Sequence, residues 1–194
     1  MVMELKRIIL LTGPPGIGKT SMLHRVVKEL RERGQSVGGM ICYEVREGGL
    51  RVGFEILDIS TEQRGWLAHM NQPTGPIVGK YRINLTDLNL IGASSIVEAI
   101  QHSDLIVVDE IGPMELLSAT FKEAVRQAVE SSKPLLGTIH YKLTDSLINF
   151  IKLRQDKEII GITPKNRAML YNAVVDKIKN SIAQQSDINR HYLD

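Results

Sequence analysis

The chain contains a single cysteine, Cys42, among 194 residues. An internal disulfide is therefore excluded, and such cysteine usage is typical of a reducing, cytoplasmic environment. The formal net charge is only +2, so neither a strongly basic nucleic-acid-binding surface nor attraction to acidic membranes is indicated. No apolar run approaches the length of a membrane span, and the run after Arg7 is too short for a signal-peptide core. We therefore expect a soluble cytoplasmic protein with neither membrane nor nucleic acid as its partner.

The most informative feature that is present is a glycine-rich segment near the start of the chain. Residues 13–20 read GPPGIGKT and complete the pattern G-x-x-x-x-G-K-[ST] of a phosphate-binding loop. An apolar strand pattern precedes the loop and an amphipathic helix pattern follows it. In this context successive backbone N–H groups converge on one point, and the helix N-terminus adds positive charge. Lys19 is then expected to reach the β- and γ-phosphates, and Thr20 to bind Mg²⁺.

Strand and helix patterns alternate along the chain, which predicts an α/β fold with a mostly parallel sheet covered by helices. Strands are predicted at 7–12, 36–45, 50–59, 64–69, 79–85, 104–110, 134–139 and 158–162, and helices at 21–30, 93–103, 114–129, 145–151 and 167–184. The Glu47-Gly48-Gly49 turn makes two of these strands a β-hairpin. Residues from about 40 to 90 are thus predicted as an inserted antiparallel region. We expect residues 1–194 to form one domain with a polar C-terminal tail at about 186–194.

A second part of the site is predicted where the apolar run 105–108 ends in Asp109 and Glu110. A buried strand of this kind places Asp109 at the carboxyl edge of the sheet, beside the phosphate loop. Asp109 is expected to hold Mg²⁺ opposite Thr20, and Glu110 to orient and partly deprotonate the attacking water. The same run spells the D-x-x-G of GTPases. The sequence has no guanine-reading N-K-x-D or T-K-x-D after it, which disfavours a GTPase.

Further polar residues are predicted at the same edge of the sheet. Thr138 and His140 end one predicted strand and are candidate γ-phosphate sensors, although a single histidine there is more often structural. Asn166 and Arg167 follow the last strand, and either start a helix after Thr163-Pro164 or flank the base or the phosphates. Candidates for an arginine that stabilises the transition state are Arg46, Arg51, Arg82 and Arg167.

Six sequence blocks occur in the order found in a known family. They are residues 13–20, GGMI at 38–41, EVREGGLRVGF at 44–54, GKY at 79–81, VVDEIGPME at 107–115 and TPKNR at 163–167. Together they make the chain resemble the small nucleoside-triphosphatases of the thermophilic type, a family that also includes the so-called cancer-related nucleoside-triphosphatase. The blocks span nearly the whole chain, and the EVREGG and GKY blocks make the resemblance specific.

The resemblance implies a P-loop NTPase with a RecA-like core. It also implies Mg²⁺-dependent hydrolysis of several nucleoside triphosphates, here taken as ATP, GTP, CTP and UTP, to diphosphate and phosphate. From the two motifs themselves we expect Lys19 and Glu110 to be the catalytic residues. Nucleotide contacts carry over to Gly13, Pro14, Pro15, Gly16, Ile17, Gly18, Lys19 and Thr20, and to Leu105, Ile106, Val107, Val108, Asp109, Glu110, Ile111 and Gly112. Ser21 stands where a second threonine is usual and keeps a hydroxyl, so we include it in the predicted nucleotide site.

Two other functions remain open at this point. The basic residues Lys142, Lys152, Arg154 and Lys157 suggest a lid over phosphates, and hence a kinase for a nucleotide or a metabolite. A nucleotide-dependent binding switch is the third hypothesis. Transfer of phosphate to an added acceptor would identify the kinase, and salt-dependent association with nucleic acid would identify the switch. The sequence predicts no oligomeric state.

Overall fold

The computed structural model describes residues 6–140 and 142–191. Within them nine strands form one continuous mixed sheet. The strands are β1 (Ile8–Thr12), β2 (Val37–Glu47), β3 (Leu50–Asp58), β4 (Arg64–His69), β5 (Ile77–Val78), β6 (Tyr81–Ile83), β7 (Leu105–Ile111), β8 (Leu135–Ile139) and β9 (Lys157–Gly161). The α-helices are α1 (Lys19–Glu32), α2 (Leu85–Asp87), α3 (Ser94–His102), α4 (Ala119–Glu130), α5 (Ser146–Leu153) and α6 (Arg167–His191). A π-helical segment at Leu88–Ala93 joins α2 to α3, and a 3₁₀ turn lies at Glu115–Leu117.

Five parallel strands form the core of the sheet in the order β9-β1-β8-β7-β2. All five residues of β1 are buried, as expected for a central strand covered on both faces. The strand predicted at 134–139 is confirmed as β8, and it separates β1 from β7. Parallel strands end at the same edge of a sheet, so the loop after β1 and the acids of β7 lie at one carboxyl edge. The predicted α/β fold with a mostly parallel core is confirmed.

The sheet continues beyond β2 as an antiparallel extension that occupies residues 40–83. β2 pairs in parallel with β7 and then, from Met40 onward, antiparallel with β3. β4, β6 and β5 follow in antiparallel order. The predicted strand at 79–85 is wrong at both ends, because β6 covers only Tyr81–Ile83 and Asn84 is already the N-cap of α2. Gly79, with φ of +60°, and Lys80 form instead the turn between β5 and β6, because glycine reaches this left-handed conformation without strain.

Helices cover both faces of the sheet. One face packs on α1 and α6, and the other on the π-helical segment, α3, α4 and α5. The helix predicted at 114–129 is interrupted, because Ser118 is extended and its hydroxyl accepts a hydrogen bond from the N–H of Phe121 (2.9 Å), which caps α4. The last helix runs past its predicted end to His191, and residues 192–194 lie outside the described residues. No helix in the described part of the chain is long and apolar enough to cross a membrane.

Candidate active site

The glycine-rich loop runs from the end of β1 to the start of α1. Gly13 has φ of +154°, and a Cβ there would lie 3.0 Å from the carbonyl oxygen of Ile162. Gly18 has φ of +100° and is the N-cap of α1, so no side chain caps the first turn of the helix. The N–H groups of that turn are therefore free to face an anion. Pro14, Pro15 and Gly16 form the exposed crest of the loop, and Ile17 is partly buried.

Lys19 and Thr20 lie in the first turn of α1 and turn toward the end of β7. The Nζ of Lys19 donates a hydrogen bond to the carbonyl oxygen of Gly13 (3.2 Å), so the ammonium lies over the loop. The Thr20 side chain faces Asp109. Ser21 follows them on the exposed side of the helix.

Asp109 is buried at the end of β7, with 2% of its surface exposed. Its Oδ1 accepts a hydrogen bond from Thr138 (2.6 Å), whereas its Oδ2 has no hydrogen-bond partner among the described residues. Burial raises the pKa of Asp109, while the hydrogen bond from Thr138, the nearby hydroxyl of Thr20 and the charge of Lys19 oppose the rise. The site therefore offers one open carboxylate oxygen beside one hydroxyl.

This donor set fits a magnesium ion that is shared with a nucleotide. Mg²⁺ is typically held by one or two protein oxygens and completes its shell with phosphate oxygens and water. The unpartnered Oδ2 of Asp109 and the hydroxyl of Thr20 are such oxygens. No group of three or more His, Cys, Asp or Glu side chains suited to a metal occurs in residues 6–140 or 142–191.

Glu110 follows Asp109 and is only partly buried. Burial raises the pKa of Glu110, and the neighbouring charge of Asp109 adds to the rise, while Lys19 and His140 act in the opposite direction. Residues 105–108 are wholly buried, so they can place the two acids but cannot touch a ligand. Ile111 is also buried, and Gly112 follows it just past the strand.

The two residues predicted as phosphate sensors have different surroundings. Thr138 is fully buried, and its hydroxyl is committed to Asp109. It therefore orients the carboxylate and is not placed as a sensor. His140 lies at the end of β8, where its N–H donates to the carbonyl oxygen of Ile111 (3.1 Å) and its Nδ1 is buried without a partner among the described residues.

Asn166 and Arg167 also differ from one another. The amide of Asn166 is used within its own loop, since it accepts from the N–H of Thr163 (2.8 Å) and donates to the carbonyl oxygen of Gly161 (2.9 Å). Arg167 reaches the phosphate loop. Its Nη1 lies 3.5 Å from the carbonyl oxygen of Ile17, and its side chain lies 3.5 Å from the position that a Cβ of Gly18 would take.

Arg46, Arg51 and Arg82 have partners outside the loop, and Arg154 and Lys157 lie at the opposite edge of the sheet. Arg46 and Arg51 both pair with Glu44 in the antiparallel extension. Arg82 donates to the carbonyl oxygen of Gly75, also in the extension. Arg154 and Lys157 lie where β9 begins, at the edge of the sheet opposite the phosphate loop. A phosphate lid formed by this pair is therefore excluded, and Arg167 is the arginine candidate beside the loop.

Two residues near the acids were not singled out by the sequence argument. Glu115 is 5% exposed, and it lies in the 3₁₀ turn that follows Gly112. His24 lies one helical turn after Thr20, with its ring 4.8 Å from that of Tyr43 and its Nε2 buried without a partner in the described chain. The i, i+4 spacing from Thr20 was the available signal for His24. For Glu115 the signal was its place at the end of the VVDEIGPME block.

Comparisons with known proteins show which family this chain is similar to. A family model described as NTPase matches residues 8–175. The nucleoside-triphosphatase THEP1 of Thermofilum pendens is 42% identical over 176 residues, which cover 90% of this chain and 97% of that protein. The nucleoside-triphosphatase THEP1 of Thermotoga maritima is 43% identical over 171 residues, which cover 88% of this chain and 95% of that protein.

Two solved structures of nucleoside-triphosphatases are also similar to this chain. The solution structure of a human cancer-related nucleoside triphosphatase is similar with a TM-score of 0.77 and 32% identity, over 90% of this chain and 98% of that one. The crystal structure of THEP1 from Aquifex aeolicus is similar with a TM-score of 0.75 and 26% identity, over 86% of this chain and 96% of that one.

Proposed function

This chain belongs to the NTPase family of nucleoside-triphosphatases, and we propose that it hydrolyses several nucleoside triphosphates in a Mg²⁺-dependent reaction with little choice of base. Hydrolysis of nucleoside triphosphates is the activity that the family shares. The proposal adds Mg²⁺ as the cofactor and ATP, GTP, CTP and UTP as substrates. Breadth is supported by the lack of a guanine-reading motif in the sequence. The single cysteine supports a cytoplasmic location.

One observation carries the proposal. The phosphate loop and the two acids of β7 meet at the same carboxyl edge, and the Oδ2 of Asp109 is buried there without a partner in the described residues. A buried carboxylate oxygen without a partner is costly unless a ligand satisfies it. The Thr20 hydroxyl and the Lys19 ammonium are its neighbours.

Each residue of the site has its own role in phosphoryl transfer. The loop N–H groups and Lys19 bind the phosphate oxygens and stabilise their charge, and Arg167 adds a second cation beside the loop. Thr20 and Asp109 hold Mg²⁺, which when bound neutralises charge on the β- and γ-phosphates. Thr138 keeps the carboxylate of Asp109 oriented.

Glu110 acts on the water. Its carboxylate accepts a hydrogen bond from the attacking water and takes the proton as the water oxygen bonds to the γ-phosphorus. The bond from the γ-phosphorus to the bridging oxygen breaks, and the diphosphate leaves with the electron pair. Because the protein forms no covalent bond, catalysis depends on positioning and charge stabilisation.

Phosphate release from ATP, GTP, CTP and UTP, with and without Mg²⁺, tests the proposal. We expect release from all four with Mg²⁺ and none after chelation. Glu110→Gln should keep nucleotide affinity and lower kcat by about 10²–10⁴-fold, the usual effect of losing a general base. The control is Glu98→Gln, which changes an exposed carboxylate on α3 and should behave as wild type.

Equal turnover in wild type and Glu110→Gln would remove Glu110 from the mechanism. Release from one triphosphate alone would overturn the broad specificity. Phosphate transfer to an added acceptor, with no release to water, would favour the kinase hypothesis instead.

A further inference from the structure

Two carboxyl groups share the open face of Gly112. A Cβ built on Gly112 would lie 3.0 Å from the Oε2 of Glu115, and 3.3 and 3.5 Å from the Cγ and Cδ of Glu110. The two acid side chains therefore occupy the space that a side chain at position 112 would fill. Glu115 comes from the 3₁₀ turn after β7, whereas Glu110 comes from β7 itself. The turn at Gly112 folds the chain so that both acids lie beside the same glycine.

Glu115 is a buried acid with no cation beside it. It forms no salt bridge with any described residue, and the hydrogen bonds to its carboxyl come from the backbone at Glu115 and Gly112. The titratable groups that face it are Glu110 and Asp109 from β7 and Cys42 from β2. Burial raises the pKa of Glu115 to about 8, and the two β7 acids add to the rise. Glu115 is therefore protonated and uncharged at neutral pH.

Glu110 has no bonded partner in the described chain to fix its direction, although the charges of Lys19 and His140 act on it. No hydrogen bond or salt bridge of its side chain occurs among residues 6–140 and 142–191. A carboxylate without a partner points where its packing allows, and water can be aligned only if the carboxylate keeps one direction. Glu115 is the more deeply buried of the two acids, and the charge of Lys19 acts on Glu110. We therefore assign the inner side of Gly112 to Glu115 and the side of the phosphate loop to the Glu110 carboxylate.

We propose that Glu115 is a positioning residue that holds the Glu110 carboxylate toward the phosphate loop across the face of Gly112. The inference rests on the proposed role of Glu110 in orienting water. A neutral acid suits this task, because it can lie against a carboxylate without repelling it. An ionised Glu115 would add a third negative charge to the pair on β7.

Steady-state kinetics of Glu115→Ala and Glu115→Gln at neutral pH are the first test. Glu115→Ala opens space beside Glu110 and should lower kcat at least about tenfold, while KM stays within about threefold, because only the reacting geometry is loosened. Glu115→Gln keeps the shape and the lack of charge, so it should restore kcat to within about threefold of wild type. Glu98→Gln is the matched control, and Glu110→Gln is the reference for complete loss.

The second test uses the nucleotide-free protein and needs no activity. An acid with pKa near 8 when folded and near 4.5 when unfolded binds more protons in the folded state between those values, so its burial lowers stability progressively as pH rises. Replacing it with glutamine removes this cost. The unfolding temperature of Glu115→Gln minus that of wild type should therefore increase from pH 5 to pH 8. The control here is Glu123→Gln, an exposed carboxylate on α4 that accepts a hydrogen bond from Gln127, and its difference should stay flat. The kcat of wild type should also fall above about pH 8 more steeply than that of Glu115→Gln.

Several outcomes would overturn the inference. A folded Glu115→Ala protein with wild-type kcat would show that Glu110 needs no such support. A Glu115→Gln protein as inactive as Glu110→Gln would show that the acid itself acts, and a pH-independent unfolding difference would show that Glu115 is not a neutral buried acid. If Glu110→Gln turns over normally, the proposed function of Glu110 fails first; if Glu110→Gln is inactive while Glu115→Ala is normal, only this inference fails.

Discussion

The carboxyl edge of the parallel core and the antiparallel extension treat their buried polar groups in opposite ways. Around the carboxyl edge, buried side-chain atoms without a hydrogen-bond partner in the described chain are the Nε2 of His24, the Oδ2 of Asp109 and the Nδ1 of His140. In the extension, Asp58 accepts hydrogen bonds from Ser60 and Thr61. The Nε of Arg51 there is also buried without a hydrogen bond among the described residues, but unlike the three atoms at the edge it has a charged partner, the carboxylate of Glu44 at 2.9 Å.

This difference indicates a ligand site at the carboxyl edge and a structural role for the extension. Native proteins satisfy nearly all their buried polar groups, so a local concentration of unsatisfied ones indicates a place where a ligand completes the structure. The extension gains its stability from packing instead, with Ile56, Ile83 and Tyr81 in the same core as α3 and α4. Changes in the extension should therefore act on stability, and changes at the carboxyl edge on binding and turnover.

The largest expected effect lies in the extension. Ile83 is fully buried in β6, and Ile83→Ala should lower the free energy of unfolding by about 2–5 kcal/mol through lost burial and a residual cavity. Chemical denaturation measures this change, and kcat of the remaining folded protein should be unchanged. Ile77→Ala in β5 is the control, because Ile77 is 59% exposed and should cost no more than about 0.5 kcal/mol. An Ile83→Ala protein with normal stability but lower kcat would contradict the proposed difference between the extension and the carboxyl edge.

Lys19→Ala should have the next largest effect and act in the opposite manner. The ammonium lies over the phosphate loop, and loss of a charge-assisted contact to phosphate is worth about 3 kcal/mol, or roughly 100-fold in nucleotide affinity. Calorimetric titration with a nonhydrolysable triphosphate measures it, and thermal stability should be nearly unchanged. Lys80→Ala in the extension removes an exposed lysine that lies 5.3 Å from the ring of Tyr81. An equal loss of affinity in Lys80→Ala would contradict the assignment of the site to the carboxyl edge.

Thr138→Val sharpens the contrast with the smallest expected change. Valine keeps the shape of threonine but removes the 2.6 Å hydrogen bond to Asp109. We expect a loss of about 1–2 kcal/mol in stability and a rise of about tenfold in the Mg²⁺ concentration that gives half-maximal rate. Ser95→Ala in α3 is the control, since it removes a buried hydroxyl that donates to the carbonyl oxygen of Gly92 (2.8 Å) far from the phosphate loop. If both variants change the Mg²⁺ requirement equally, Thr138 has no special role at Asp109.

Local patterns predicted much of this molecule. The phosphate loop needs only its glycines, one lysine and one threonine in sequence, and these residues fix its conformation wherever a strand precedes it and a helix follows. The apolar run of β1 at residues 8–11 and the run that ends in Asp109 also predict buried parallel strands. Their common edge follows from the parallel arrangement.

Other features were predicted wrongly or missed, because the contact that determines them cannot be read from the local sequence pattern. The helix expected at 114–129 is broken at Ser118, whose hydroxyl caps α4, although Glu115 and Leu117 fit a helical pattern equally well. Where the strand at 79–85 was expected to begin, the chain forms a turn at Gly79. Both errors concern a single residue whose backbone conformation overrides the average preference of its neighbours.

By itself, the sequence determined which residue types stand at the carboxyl edge, and these carry the proposed chemistry: a loop for phosphate, a carboxylate for Mg²⁺ and a second carboxylate for water. Only the tertiary structure decided how these side chains are supported. In the fold, the Thr138 hydroxyl donates a hydrogen bond to Asp109, and Arg167 lies against the phosphate loop. Glu115 and Glu110 lie beside the same glycine, Gly112. The physical reason is that a motif records bonding capacity along the chain, whereas burial, partnership and charge state depend on which elements the fold brings together.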